Sequence, residues 1–204
     1  MAELRRAAWV AFAAHLLAGT ALALILRHGL ETNPDLAGRM RFLAEHRTLW
    51  ISGWLTWNVA ALSMLWFSVS FAEAHGGLRI AVALVSAAVA ADLGAEAIEM
   101  GVLPSLSVSS EFLTWHRVCV MLTGYLANGL YTFASILLAW KARREYPGWV
   151  SALAVGVALF GTLLSASALA GSTKGLFWSN AGLMPCLLGW MVGVALTATG
   201  RSRA

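Results

Sequence analysis

Six stretches, roughly 7–27, 48–72, 79–103, 113–140, 149–170 and 180–199, are each long and apolar enough to cross a bilayer. A crossing helix needs ~20 mostly apolar residues, because in lipid only internal hydrogen bonding satisfies the backbone. Of the 204 residues 59% are apolar and 12% charged, where an average soluble chain carries ~25% charged residues. That balance excludes a cytosolic enzyme and a nucleic-acid-binding module, and it makes lipid the principal partner of the surface. The expected fold class is all-α: a polytopic bundle of six transmembrane helices forming one integral membrane domain over 1–204. Two cysteines are no disulfide framework. Cys119 and Cys186 both fall in the outer half, where a bridge is geometrically conceivable, and two buried free thiols are expected.

The separators between spans are readable. Asn33-Pro34-Asp35 predicts a helix start with Asn33 as cap and Pro34 in the first turn. Ala74-His75-Gly76-Gly77 is a turn, Pro104 ends the third span, and 141–147 and 171–175 divide the last three. Within 34–46, Leu36, Met40 and Leu43 form a stripe at i, i+4, i+7, with Asp35, Arg39 and Glu45 off it. This predicts a short helix lying on the membrane surface and running into span two. It is either a lid over a site or a linker that hides its stripe among headgroups.

Orientation follows the excess of Lys and Arg on cytoplasmic ends. With the N-terminus inside, Arg5, Arg6, Arg79, Lys141, Arg143, Arg144, Arg201 and Arg203 face the cytoplasm. Arg27, Arg39, Arg41, Arg47, Arg117 and Lys174 face out. Both termini are therefore expected in the cytoplasm of a bacterium, with the chain in its inner membrane. Arg5-Arg6 ahead of an apolar run, with Ala21-Leu22-Ala23 as a small-residue site, also has the look of a cleaved leader. The apolar run continues to Leu26, so retention of span one is expected.

Span three carries Asp92, Glu96 and Glu99 at i, i+4, i+7, on one helix face. Asp92 lies near mid-bilayer, where insertion of an Asp costs ~2.5–3.5 kcal/mol. Intramembrane ionisable groups default to function. The rest of the helix is mostly Ala, Gly and Ser, which admits neighbouring helices closely, so span three is expected at the centre of the bundle. The plain alternative is that these acids are protonated or pair with arginines and hold helices in register.

Spans two and four share a pattern. Glu45-His46-Arg47 precedes Asn58, and Trp115-His116-Arg117 precedes Asn128, with Asn 11 residues after Arg each time. Eleven residues of helix cover about 16 Å, so each Asn reaches the depth of Asp92. Together these residues sketch a polar funnel. Arg47, Arg117, His46 and His116 stand at its mouth, Glu96 and Glu99 below, and Asp92 with Asn58 and Asn128 at its base. Trp50, Trp54, Trp57, Trp115 and Tyr125 supply walls. Each member has a plainer reading: arginines snorkel, Asn bonds a neighbouring helix, and Trp50, Trp115, Trp149 and Trp178 belong to an interfacial belt. His15 reads as a packed polar residue, and His28 and His75 as solvated ends.

Four function classes fit. The leading one is binding and translocation of a small cationic or protonatable ligand, with Asp92 and Glu96 as central carboxylates and Glu99, Asn58, Asn128, Trp54, Trp57, Tyr125, Arg47 and Arg117 as further ligand contacts. The second is an intramembrane enzyme on a lipid-like substrate, an acid-catalysed isomerase or cyclase with Asp92 and Glu96 as catalytic acids. The third is a metal- or haem-dependent oxidoreductase, with His46 and His116 as the candidate ligands. It is not favoured, since no HxxxH or ExxH spacing occurs. The fourth is a structural subunit of a larger membrane complex.

The extended segment after span one, the acidic third span, and Tyr146-Pro147-Gly148-Trp149-Val150-Ser151 opening span five resemble an uncharacterised bacterial family of six-helix integral membrane proteins. The last of these is similar to that family's Pro-x-Trp-hydrophobic-Ser start. The arginine that usually precedes the family's third-span acid is missing. The resemblance implies a topology and no activity.

Overall fold

A computed structural model of the chain describes residues 1–198, and Arg201 and Arg203, with the last residue of the expected sixth span, lie outside the described residues. The regular structure of the described residues is all helical, and six helical stretches are long and apolar enough to cross a membrane. α1 is Ala2–Leu24, extended by a 3-10 turn Leu26–His28; α2 is Leu36–Glu45; α3 is Arg47–Ala74; α4 is Arg79–Gly101, followed by a 3-10 turn Leu103–Ser105. α5 (Ser109–Val120), a π-helical stretch Met121–Ala127 and α6 (Asn128–Ala142) make one continuous span. α7 is Gly148–Ala170 and α8 is Thr173–Thr197.

The six spans close into a ring: α1 packs on α3, α3 on α4, α4 on α6, α6 on α7, α7 on α8, and α8 returns to α1. Large apolar side chains such as Leu17, Val155 and Leu159 face outward, as lipid contact requires. Close approach of α6, α7 and α8 depends on glycine. A Cβ at Gly161 would fall on the Thr132 side chain, one at Gly156 would come within 2.6 Å of the Cys186 sulfur, and one at Gly182 would fall on the Phe160 ring. Without water to expel, such contacts supply the van der Waals packing that holds membrane helices together.

One end of the ring is plugged. Phe67 meets Trp190 edge-on at 5.4 Å between centroids, and Phe71 lies 5.8 Å from the same indole. Leu4, Leu138, Met191 and Val194 complete a buried cluster there. His75, expected to be solvated, is buried: it stacks on Phe71 at 4.4 Å and its Nδ1 donates to the Phe71 carbonyl at 2.7 Å.

The connection after span one is a packed element. Asp35, not Asn33, is the α2 cap, its carboxylate accepting from the Gly38 amide at 2.9 Å. Asn33 instead accepts from the Asp35 amide and donates to the His28 carbonyl, bracing the turn. Leu43 is fully buried, with Leu36 and Met40 packed beside it against Trp50, Leu103 and Phe112. The Leu stripe therefore faces protein. Arg39, expected off that stripe, is only 5% exposed. Its Nε donates to the Gly29 carbonyl at 2.9 Å and its guanidinium lies 5.4 Å from the Phe112 ring centroid. Span six starts earlier than expected, at Thr173, because Gly171 takes a left-handed φ of 68° and Ser172 caps the Gly175 amide. The two cysteines are free.

Candidate functional site: a carboxylate-walled cavity inside the helix ring

α4 is one member of the ring and not the centre of the bundle that its small residues predict. Ala88 and Ala95 are fully buried against α3, α6 and the π-helical stretch, while Ala87, Ala90, Gly94 and Ala97 are exposed on its outer face. The face that carries Asp92 and Glu96 then borders a cavity of about 610 Å³ enclosed by the ring. The cavity runs from Arg27, Glu31 and Thr32, beyond the end of α1, down to Met64, Ser135 and Leu187 in the middle of the bundle. Below these lies the aromatic plug.

Most of its exposed wall is aliphatic or aromatic, with polar side chains set into it. Glu96 is 2% exposed, and its Oε2 is buried without a hydrogen-bond partner. Asp92, one turn away, faces the Tyr131 hydroxyl of α6, which itself has no partner of good geometry. The indole N–H groups of Trp54 and Trp57, both in the wall, are likewise buried and unpartnered. Buried polar atoms of this kind carry a desolvation cost of about 1–3 kcal/mol each when unmet. Four of them around one cavity mark where a polar ligand group or water belongs. Among the wall's charged residues are three carboxyls, Glu31, Asp92 and Glu96, and one guanidinium, Arg27.

Glu99 belongs to a different set. Its Oε1 lies 3.5 Å from His116 Nδ1, and His116 Nε2 donates to Glu31 Oε2 at 2.8 Å. His116 stacks on Phe112, the same ring that Arg39 covers. Burial raises the Glu31 carboxyl, but its hydrogen bond to His116, the His116 charge, its own amide and Arg39 outweigh burial and hold it below its ordinary value. The Cys119 thiol donates to the Ala95 carbonyl at 3.6 Å, beside Glu99.

The expected funnel is thus partly assembled. Asp92, Glu96, Asn128, Trp54 and Trp57 line the cavity, while Asn58, Tyr125, Arg47 and Arg117 do not. Arg117 and Asn128, with the π-helical stretch between them, both reach α7. Arg117 donates to the Ala168 and Leu169 carbonyls at 2.9 and 3.0 Å, and Asn128 to Gly161 and Ser165 at 2.7 and 2.8 Å. Arg47 is exposed, Asn58 is half-buried on α3, and Tyr125 and Trp115, each 41% exposed, point away from the cavity. Trp50 is fully buried instead of belonging to an interfacial belt.

His46 and His116 have unlike surroundings. His46 is exposed and lies against Phe42, whereas His116 is buried between two carboxylates. Among the described residues no three His, Cys, Asp or Glu side chains are grouped as a metal ion requires.

Four contributors escaped sequence reading. His15 is in the cavity wall, its Nδ1 donating to the Ala11 carbonyl, which leaves Nε2 as an acceptor. An ionisable residue in mid-span was its signal. Tyr131 is one turn beyond Asn128, so the same helix face announced it. Glu31 and Arg39 sit in a connection and a surface helix, and nothing in their spacing points inward. Neither family models, curated proteins nor solved structures give a match to this chain, so its reading rests on geometry.

Proposed function

We propose that this multi-pass membrane protein binds a small cationic or protonatable ligand with an apolar body in its central cavity and carries it across the membrane. The observation that carries the reading is the unpartnered Glu96 carboxylate oxygen, buried in the cavity wall one helical turn from Asp92. A carboxylate excluded from water is satisfied best by a positive or hydrogen-bond-donating partner. Trp54 and Trp57 add aromatic faces that attract a cation. A volume near 610 Å³ lies within the usual ~300–1,000 Å³ of small-molecule sites, and the mostly apolar wall suits a bulky organic cation better than a bare metal ion.

The proposed setting is a bacterial inner membrane with both termini cytoplasmic. Arg5, Arg6, Arg79, Lys141, Arg143 and Arg144 cluster at the end where α1 begins. Of the basic residues at the other end, Arg39 is buried and Arg117 is held by helix-end carbonyls, which weakens their weight in the positive-inside balance.

Tetraphenylphosphonium is a suitable probe. Titration of the purified protein should show saturable binding that weakens at least about tenfold, some 1.4 kcal/mol, in Asp92→Asn and in Glu96→Gln. Proteoliposomes should then move the probe, and the variants should not. Equal binding by wild type and both variants overturns the reading.

Asp92 facing Tyr131 inside an apolar wall also favours a second reading, an acid-catalysed isomerase or cyclase of a hydrophobic substrate. A mass-neutral rearrangement of an extracted lipid or terpenoid, without flux, would establish it in place of the carrier.

A further inference from the structure

The Glu31–His116–Glu99 array is separate from the ligand wall yet joined to it at both ends. Glu31 is partly exposed and lines the cavity mouth. Glu99 is buried, does not line the cavity, and stands one helical turn from Glu96 on α4, close enough for the two carboxyls to influence each other. His116 bridges the gap between α4 and the segment after α1, touching Glu99 through Nδ1 and Glu31 through Nε2. An imidazole held between two carboxylates by its two different nitrogens is the arrangement that passes a proton from one side of the ring to the other. The Glu99 Oε2 atom is buried and has no hydrogen-bond partner, so no static structural bond occupies the oxygen left free by His116.

We propose that Glu99, His116 and Glu31 form a proton exit route that lets a cation displace a proton from the Glu96 carboxyl while the cavity is filled. This rests on the reading that the cavity takes a cation. A ligand seated against Asp92 and Glu96 blocks the direct aqueous path up the cavity, and the relay leaves Glu96 on the side away from the ligand. The steps balance without any other reactant. Glu96 passes its proton to Glu99 as the cation arrives. Glu99 gives a proton to His116 Nδ1, and the proton on Nε2 passes to Glu31 Oε2. Glu31 releases it to water at the mouth. The imidazole returns to its first tautomer when the cation leaves and a proton retraces the route from Glu31 through Nε2, and from Nδ1 through Glu99, to Glu96. The net reaction exchanges one proton for one cation.

The charged groups facing His116 are Glu31 from the segment after α1 and Glu99 from α4, and Arg39 from α2 and Cys119 from the same helix as His116 lie beside those two carboxyls. Arg39 sits close to Glu31 and Glu99 and opposes proton accumulation on either, which favours release over storage. The device predicts obligatory exchange, and it makes His116, which does not line the cavity, and Glu31, at its mouth, proton-transfer groups.

The test is stopped-flow mixing of the purified protein with tetraphenylphosphonium in weakly buffered solution containing a pH-indicating dye, alongside equilibrium titration with the same probe. Wild type should acidify the solution on binding. Glu31→Gln keeps the size and hydrogen-bonding capacity of the side chain but cannot carry the proton. With the probe at saturating concentration it should release the proton at least about tenfold more slowly than wild type, as expected for loss of a positioned acid–base group. His116→Asn should do the same if it folds, and Glu31→Gln decides the matter if it does not. Proton release at the wild-type rate in Glu31→Gln overturns the relay, as does probe binding by wild type with no acidification. If wild type does not bind the probe at all, the cavity reading itself fails, and that result is distinct from either of these.

Discussion

The Trp50 indole N–H donates a 2.7 Å hydrogen bond to the main-chain carbonyl of Glu99. Glu99 lies in the last turn of α4, where carbonyls have no partner within the helix. Trp50 therefore closes an open helix end and fixes α3 against the stretch of α4 that carries the buried acids. Trp50→Phe keeps most of the ring and removes the donor. It should lower stability by about 1–3 kcal/mol, the cost of orphaning a buried acceptor, seen as a reduced Tm in detergent. An unchanged Tm would show that water replaces the bond.

Asp92→Asn and Glu96→Gln put neutral amides of the same shape in a desolvated wall and should leave Tm close to wild type while weakening tetraphenylphosphonium binding. The amides keep the volume and polarity of the carboxyls but cannot become anionic opposite a cation. A Tm fall with no loss of binding would instead make both acids structural ties.

The Glu31 carboxyl is held below its ordinary value of 4.5 by His116 and Arg39 despite burial. A depressed carboxyl contributes stability that is fully present above the unfolded value and is lost as pH falls through the folded one. Thermal stability should therefore decline as pH drops below 4.5, and the decline should be shallower in Glu31→Gln. Parallel curves for the two proteins would remove Glu31 from the acid-sensitive groups.

Gly161 has no room for a side chain, since a Cβ would meet Thr132, and its carbonyl accepts from Asn128. Gly161→Val should force α6 and α7 apart and cost about 1–3 kcal/mol, as overpacking does. The matching rescue is Thr132→Ala, which clears the space. A double variant no more stable than Gly161→Val alone would place the strain elsewhere.

Arg117→Ala should weaken the α7 end by about 0.3–1 kcal/mol, the usual worth of a cation at an exposed helix C-terminus, and leave probe affinity unchanged. A clear loss of binding would return Arg117 to the ligand site.

The spans, the acidic face of α4 and the existence of the short helix after span one were legible in the chain because each depends on local periodicity. Asp92, Glu96 and Glu99 share a face in any helix, whatever surrounds it. What that face meets is another matter. Glu96 and Glu99 are one turn apart, yet one borders the cavity and the other is enclosed by His116 and α5. The spacing of Arg117 and Asn128 assumed α-helical pitch, and the fold puts a π-helical stretch between them and turns both onto α7. Arg39 looked solvent-facing from its position in α2, but the fold folds it over Phe112 to reach the Gly29 carbonyl.

By itself the sequence determined that this protein crosses the membrane as helices and that one of them carries costly acids, because hydropathy and helical pitch act within some twenty residues. Only the tertiary structure decided that α8 closes the ring onto α1, that a plug of Phe67, Phe71 and Trp190 seals one end, and that Glu31 reaches His116 across 85 positions of chain. Those outcomes depend on which helices neighbour one another. Helix pairing in lipid is chosen by close packing of small surfaces, which no single helix's sequence contains.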